Sequence, residues 1–256
     1  MAPFCAGGIN AYEDVRAMGL FRRKKKEAGP LCSAVIVAAG SSSRMGFDKV
    51  LAELGEEPVI VRSIEAFQQA PGISEIVVVT REDLVPEVAR LCQQFQLTKV
   101  TKVIRGGESR TQSARLGTLE AGRDMPLIAI HDGARPFVTV EVIEAAVAQA
   151  AKNGAAAPAI PVKDTIKVAK DGMVEQTLDR AMLYAVQTPQ VFDASLIRAA
   201  LQKALDEGVE LTDDCAAVER LGMKVVLTAG DERNIKLTTP VDLLVGEGLA
   251  EEVLLP

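Results

Sequence analysis

From Cys32 to Ile160 the chain alternates between two hydrophobic periods, and this alternation limits the folds open to it. Short apolar runs at 35–38, 76–79, 99–104, 127–131 and 155–160 read as strands, several buried on both faces. Between them, residues 58–70, 83–95, 110–121 and 140–151 carry apolar side chains at helical spacing. Val59, Ile60, Ile64 and Phe67 form one such face, and Leu84, Val88, Leu91 and Cys92 another. Pro58 suits a first helical turn and Pro71-Gly72 a stop. Strand and helix in strict turn predict an α/β fold, Rossmann-like, with a mostly parallel sheet and helices on both faces. A chain of 256 residues can bury such a core. We place this domain at 31–256. Residues 1–30, bracketed by Gly7-Gly8 and Gly29-Pro30, read as an N-terminal extension outside it. The basic run Arg22 to Lys26 reads most simply as a solvated tail.

The pattern changes at Pro161. A strand at 164–169, the turn Lys170-Asp171-Gly172 and a returning strand at 173–177 predict a β-hairpin, because Asp-Gly supplies the positive φ angles of a tight turn. It is polar on much of both strands, and a lone hairpin is marginal in water. An arm at about 162–186 would need something to lean on, and a second subunit is a candidate. Residues 187–190 read as a loop and 194–207 as a helix. A further helix spans 213–221 with Thr212 as N-cap, a strand spans 224–228, and a last helix starts near Pro240.

In open α/β sheets ligands bind beyond the carboxyl ends of the strands. Three polar loops fall there, at 40–49, 106–113 and 132–136. In the first, Gly40 and Gly46 let the backbone turn, Ser41 to Ser43 add little bulk, and Arg44 and Lys49 supply cationic donors. Successive N–H groups in such a loop can hold an anion, so it reads as a polyphosphate cradle; a solvated basic turn is the other reading. It departs from G-x-G-x-x-G and from G-x-x-x-x-G-K-[ST], which disfavours a dinucleotide oxidoreductase and a P-loop enzyme. In the third loop Asp132 follows a buried strand, where it can meet a metal or a sugar hydroxyl, or cap a turn. His131 is the only histidine, which excludes a multi-His metal centre. It reads as a packed strand-end residue rather than a base.

The formal net charge of −6 opposes a role coating nucleic acid. Four cysteines are scattered without C-x-x-C pairs, as in a reducing compartment. No apolar run approaches the ~18 residues of a membrane span, and the N-terminus lacks the order of a signal peptide. A cytoplasmic protein is expected.

Five stretches carry a specific resemblance: Ala38-Ala39-Gly40 through Arg44-Met45-Gly46 with Lys49; His131-Asp132-Gly133-Ala134-Arg135-Pro136-Phe137; Pro161-Val162-Lys163-Asp164-Thr165-Ile166-Lys167; Gln187-Thr188-Pro189-Gln190; and Asn234-Ile235-Lys236-Leu237-Thr238. The first looks like the signature of sugar-nucleotide-type nucleotidyltransferases. Together, in this order over about 32–249, they resemble the methylerythritol phosphate cytidylyltransferases of the non-mevalonate isoprenoid pathway. The extension departs from that family, as does Gly133, where the family often has Ala.

The resemblance implies transfer of CMP from CTP to methylerythritol phosphate. Ala38, Ala39 and Gly40 would then hold CTP through backbone groups, with Gly107, Arg110 and Ser113 lining the cytosine end. Arg44 and Lys49 would meet the triphosphate, and Lys236 would bridge the α-phosphate and the incoming phosphate. Thr188 would contact the acceptor. Asp132 and Arg135 would contact its hydroxyls, or Asp132 the metal. Thr165 and Arg180 lie on the arm, which would reach into the partner's site in a homodimer. Arg44, Lys49, Arg180 and Lys236 are thus the catalytic set. A phosphate monoester is mostly dianionic at pH 7, so the nucleophile needs no general base. The cations and a divalent metal, Mg²⁺ held mainly by phosphate oxygens, would offset the repulsion of two anions. Two alternatives remain at this point: a ribitol 5-phosphate cytidylyltransferase, and a nucleotide-binding homologue without turnover.

Overall fold

The computed structural model describes residues 31–40 and 48–254. The N-terminal extension and Arg44 lie outside the described residues. The chain enters through β1 (Cys32–Ala38), then β2 (Glu53–Leu54), β3 (Glu57–Pro58), α1 (Val59–Gln69) and β4 (Ile73–Thr80). There follow α2 (Val85–Gln94), β5 (Val100–Arg105), α3 (Arg110–Glu120), β6 (Leu127–Asp132), α4 (Val140–Asn153) and β7 (Ala155–Pro161). An arm holds β8 (Lys167–Lys170) and β9 (Met173–Thr177), and the chain returns as β10 (Tyr184–Val186) and β11 (Gln190–Asp193). Last come α5 (Ala194–Asp206), α6 (Asp214–Glu219), β12 (Val226–Ala229) and α7 (Pro240–Leu254).

β1 lies at the centre of the sheet, parallel to β4 on one side and β6 on the other, and β5 continues parallel beyond β4. The chain moves outward from β1 to β4 and β5, then crosses back to β6. That reversal opens a crevice at the carboxyl ends of β1 and β6. Alternate residues of β1 serve opposite cores. Ala34 and Ile36 pack with α1, α2 and α4, while Val35 packs with α3, α5 and α6. Both layers form because every residue of β1 except Val37 is buried, the strand pattern the apolar run predicts. A smaller cluster of Leu54, Val59, Leu237 and Ala250 fastens α7 and the chain around Lys236 to β2 and the start of α1.

The sequence reading differs from this fold in three places. Residues 187–190 were expected as a loop, yet Gln190 opens β11, which pairs antiparallel with β6 and β7 and so interrupts the parallel order. The polar Gln190 tolerates burial because each end of its amide is used. Its Oε1 accepts from the N–H groups of Asp214 and Cys215, and its Nε2 donates to Asp213 at 2.8 Å. Asp213, not Thr212, is the N-cap of α6, accepting from the N–H of Ala216. The first strand of the arm starts at Lys167 rather than 164. The Asp-Gly turn itself stands, with Asp171 and Gly172 at φ +50° and +78°.

Candidate active site

Four segments meet over the crevice. The end of β1 contributes Ala38, Ala39 and Gly40, and Lys49 lies just beyond. The loop after β5 and the first turns of α3 contribute Gly107, Arg110 and Ser113. Asp132 comes from the end of β6, and Lys236 from the chain before α7. They line a cleft of about 360 Å³, one of several cavities in the described residues. Gly106 lets the loops close: a Cβ there would lie 2.5 Å from the Cβ of Ala39 and 2.7 Å from Ser113 Oγ. Gly133 also serves close packing, since a Cβ would come 2.9 Å from Ile60 Cδ1 and 3.0 Å from the Cβ of Ala38.

Asp132 is the electrostatic centre. Its Oδ1 accepts from Arg110 Nε at 3.2 Å, its Oδ2 pairs with Lys236 Nζ at 2.8 Å, and Arg135 Nε stands 3.7 Å away. Burial works against ionisation of this carboxyl. The Arg110 and Lys236 charges nevertheless hold it well below the usual carboxylate range. Arg110 reaches past Asp132 as well, donating from Nη2 to Asp214 Oδ2 at 2.8 Å. Ser109 caps α3, and Ser113 Oγ accepts from the N–H of Gly107 while donating to Ser109 O.

His131 has no exposed surface, and burial pushes its pKa down to about 3. The neutral ring therefore donates from Nε2 to the carbonyl of Arg135 at 3.2 Å and accepts at Nδ1 from the Thr188 hydroxyl at 3.0 Å. Thr188 Oγ1 accepts in turn from the N–H of Asp132. Asn234 donates to Thr188 O, Arg135 donates to Asn234 O at 2.6 Å, and Leu237 N–H donates to Ala134 O. These bonds stitch three distant loops together and set the Asp132 backbone against the chain that carries Lys236.

Of the residues singled out in the sequence, the cleft unites Ala38, Ala39, Gly40, Lys49, Gly107, Arg110, Ser113, Asp132 and Lys236. Of the others, Arg44 lies outside the described residues, and Arg135, Thr165, Arg180 and Thr188 do not line the cleft. Arg135 and Thr188 stand behind the Asp132 loop, held by the bonds above, while Arg135 Nε itself is buried without a hydrogen-bond partner. Thr165 and Arg180 are exposed on the arm, where Arg180 donates to Lys163 O. Sequence reasoning missed Glu108 and Ser109, which also line the cleft, and Asp214 behind it. Their positions beside Gly107 and before the predicted helix at 110 were the available signal for the first two. Among the described residues no group of three His, Cys, Asp or Glu side chains could hold a metal ion. Asp132 and Glu108 both bring carboxylates to the cleft, and Asp132 is the one paired with Arg110 and Lys236. That donor set fits Mg²⁺ arriving with a triphosphate and taking its remaining ligands from phosphate and water.

A family model described as 2-C-methyl-D-erythritol 4-phosphate cytidylyltransferase matches residues 32–252. The chain is similar to the protein of that name from Caldanaerobacter subterraneus, 48% identical over 223 residues that cover 84% of this chain and 96% of the relative. The one from Halalkalibacterium halodurans is 42% identical over 222 residues, covering 86% and 97%. In fold it resembles the crystal structure of 4-diphosphocytidyl-2C-methyl-D-erythritol synthase from Anaerococcus prevotii. The TM-score there is 0.79 at 31% identity, over 87% of this chain and 97% of that one.

Proposed function

This chain belongs to the 2-C-methyl-D-erythritol 4-phosphate cytidylyltransferase family, and from that premise we propose how its residues divide the work. The enzyme transfers CMP from CTP to the phosphate of 2-C-methyl-D-erythritol 4-phosphate and releases pyrophosphate, a step of isoprenoid precursor biosynthesis. The observation that carries the residue assignment is the meeting of Lys49, Lys236 and Asp132 in one cleft at the carboxyl end of β1 and β6.

CTP enters with its base toward Gly107, Arg110 and Ser113 and its triphosphate over Ala38, Ala39 and Gly40. Lys49 and Arg44 hold the β- and γ-phosphates, which leave as pyrophosphate. Lys236 sits between the α-phosphate and the acceptor's phosphate and attracts both. The attacking oxygen belongs to a phosphate dianion, so no side chain has to remove a proton. The protein's contribution is alignment and charge, in a site organised before the substrates arrive. Asp132 orients Lys236 and meets the acceptor's hydroxyls, with Arg135 and Thr188 fixing its loop. Bound Mg²⁺ would offset the charge of the triphosphate, with Asp132 offering it a carboxylate.

The arm supports a homodimer as the working form. Ile166, Val168, Met173, Val174, Met182, Tyr184 and Val186 are all large apolar side chains exposed along it. A patch of this kind marks an interaction surface. Thr165 and Arg180 would then act in the partner's cleft. We place the enzyme in the cytoplasm: Cys32, Cys92 and Cys215 are free buried thiols, as a reducing compartment keeps them. No helix of the described residues is long and apolar enough to cross a membrane.

The direct test measures pyrophosphate release with CTP, Mg²⁺ and either methylerythritol phosphate or ribitol 5-phosphate. Release with the first acceptor and not the second is expected. The converse would overturn the acceptor assignment, and CTP binding without release would make the chain a nucleotide-binding homologue.

A further inference from the structure

Behind the cleft lies a charged side chain that the reaction scheme leaves unused. Asp214 opens α6, on the α3–α5–α6 side of the sheet, and is 1% exposed. Its Oδ2 accepts from Arg110 Nη2 at 2.8 Å, whereas its Oδ1 is buried without a hydrogen-bond partner. A buried carboxylate with one oxygen unsatisfied is costly, and a fold built for stability alone has no use for it. Its position is tightly held. Gln190 Oε1 accepts from the N–H groups of both Asp214 and Cys215, which moors the start of α6 to β11.

Arg110 therefore divides its guanidinium between two carboxylates, Nε to Asp132 and Nη2 to Asp214. This division decides what Asp132 can do. A lone Arg beside a lone carboxylate prefers the bidentate fork, which would occupy both oxygens of Asp132. With Nη2 drawn away by Asp214, only Oδ1 of Asp132 is taken, and Oδ2 remains for Lys236 at 2.8 Å.

We propose that Asp214 is a positioning residue for the transfer reaction: by holding Arg110 to one oxygen of Asp132 it leaves the other to aim Lys236 at the phosphates. The inference rests on the reading of Lys236 as the group between the two phosphates. Asp214 touches no substrate and acts through a chain of ion pairs, Asp214 to Arg110 to Asp132 to Lys236.

A double-mutant cycle on the full chain tests it. Asp214→Asn keeps the shape and removes the charge. It should lower kcat about tenfold or more, because Lys236 acts mainly in the transition state. In a Lys236→Ala background the same substitution should change kcat by less than about threefold, since the path it acts through is gone. A residue that only supports the fold would cost the same factor in both backgrounds, and that additive result overturns the inference while leaving Lys236 its role. An unchanged kcat in Lys236→Ala alone overturns the reading of Lys236, and the inference with it. Should Asp214→Asn not fold, Arg110→Lys replaces it in the cycle. The ammonium keeps the charge but cannot span two carboxylates. The same non-additive loss of kcat is expected there, and an additive loss counts against the proposal equally.

Discussion

His131, next to last in β6, stands with its ring against Phe67, centroids 4.8 Å apart, and with both nitrogens engaged. The fold needs it neutral. Its pKa falls from 6.5 in the unfolded chain to about 3 in the folded one. Between those values the unfolded chain binds a proton that the native state refuses, so stability drops as pH falls from 6.5 toward 3 and is complete above that window. At pH 5 the loss relative to pH 7 comes to about 2 kcal/mol. Asp132, held below the carboxylate range, contributes its own acid sensitivity only below about pH 4. Denaturant melts at pH 7 and pH 5 should therefore show that loss in the wild type and a much flatter response in His131→Gln; parallel slopes would remove His131 as the sensor. Lys49 is the complementary case, a cation lining the cleft and proposed to act on the phosphates. A charged hydrogen bond contributes about 1.5–3 kcal/mol, so Lys49→Ala should lower kcat tenfold to a hundredfold if the bond is made in the transition state. Acceptor binding, measured by calorimetry, should change far less. Unchanged turnover would take Lys49 out of the phosphate site.

At the scale of elements, what could be read from the chain was what is local. The β1 run, the amphipathic α1 and α2, and the Asp171-Gly172 turn each carry their signal within a dozen residues, and each is present in the fold. Ala38 to Gly40, Asp132 and Lys236 were recognisable because motifs marked them. Asp214 was not, since its partner Arg110 is 104 positions away and neither residue type is unusual by itself. β11 was hidden for a related reason. Gln190 looks like loop, and Pro189 before it looks like a breaker, until α6 supplies the donors and acceptor that make a buried amide tolerable. The same contacts make the start of α6 a test of element energetics. Asp213 both caps the helix through Ala216 N–H and receives Gln190 Nε2. Asp213→Ala should thus cost about 1–2 kcal/mol, somewhat above an ordinary cap, because the Gln190 donor is left buried and unpaired. Equilibrium urea unfolding measures this, and a loss below a few tenths of a kcal/mol would show that Gln190 finds another partner.

For the whole molecule the question is whether one chain holds a complete site. The cleft contains Lys49, Asp132 and Lys236, while Thr165 and Arg180 remain on the exposed arm. The arm's two strands pair only with each other and bury none of their own residues. An isolated hairpin of that sort gains little by itself. If two chains exchange arms, each cleft takes Lys49 from one chain and Arg180 from the other. Chains carrying Lys49→Ala and chains carrying Arg180→Ala would each form nearly inactive dimers. Unfolded together and refolded in equal amounts, they would combine at random, and about half the dimers would be mixed. In a mixed dimer one cleft pairs the intact Lys49 of one chain with the intact Arg180 of the other, and its second cleft has lost both. About a quarter of wild-type activity should return. If instead each arm folds onto its own cleft, every site in the mixture lacks one of the two cations and no activity returns. Native mass spectrometry on the mixture establishes that mixed dimers are present, so that silence from them argues for a site completed within one chain.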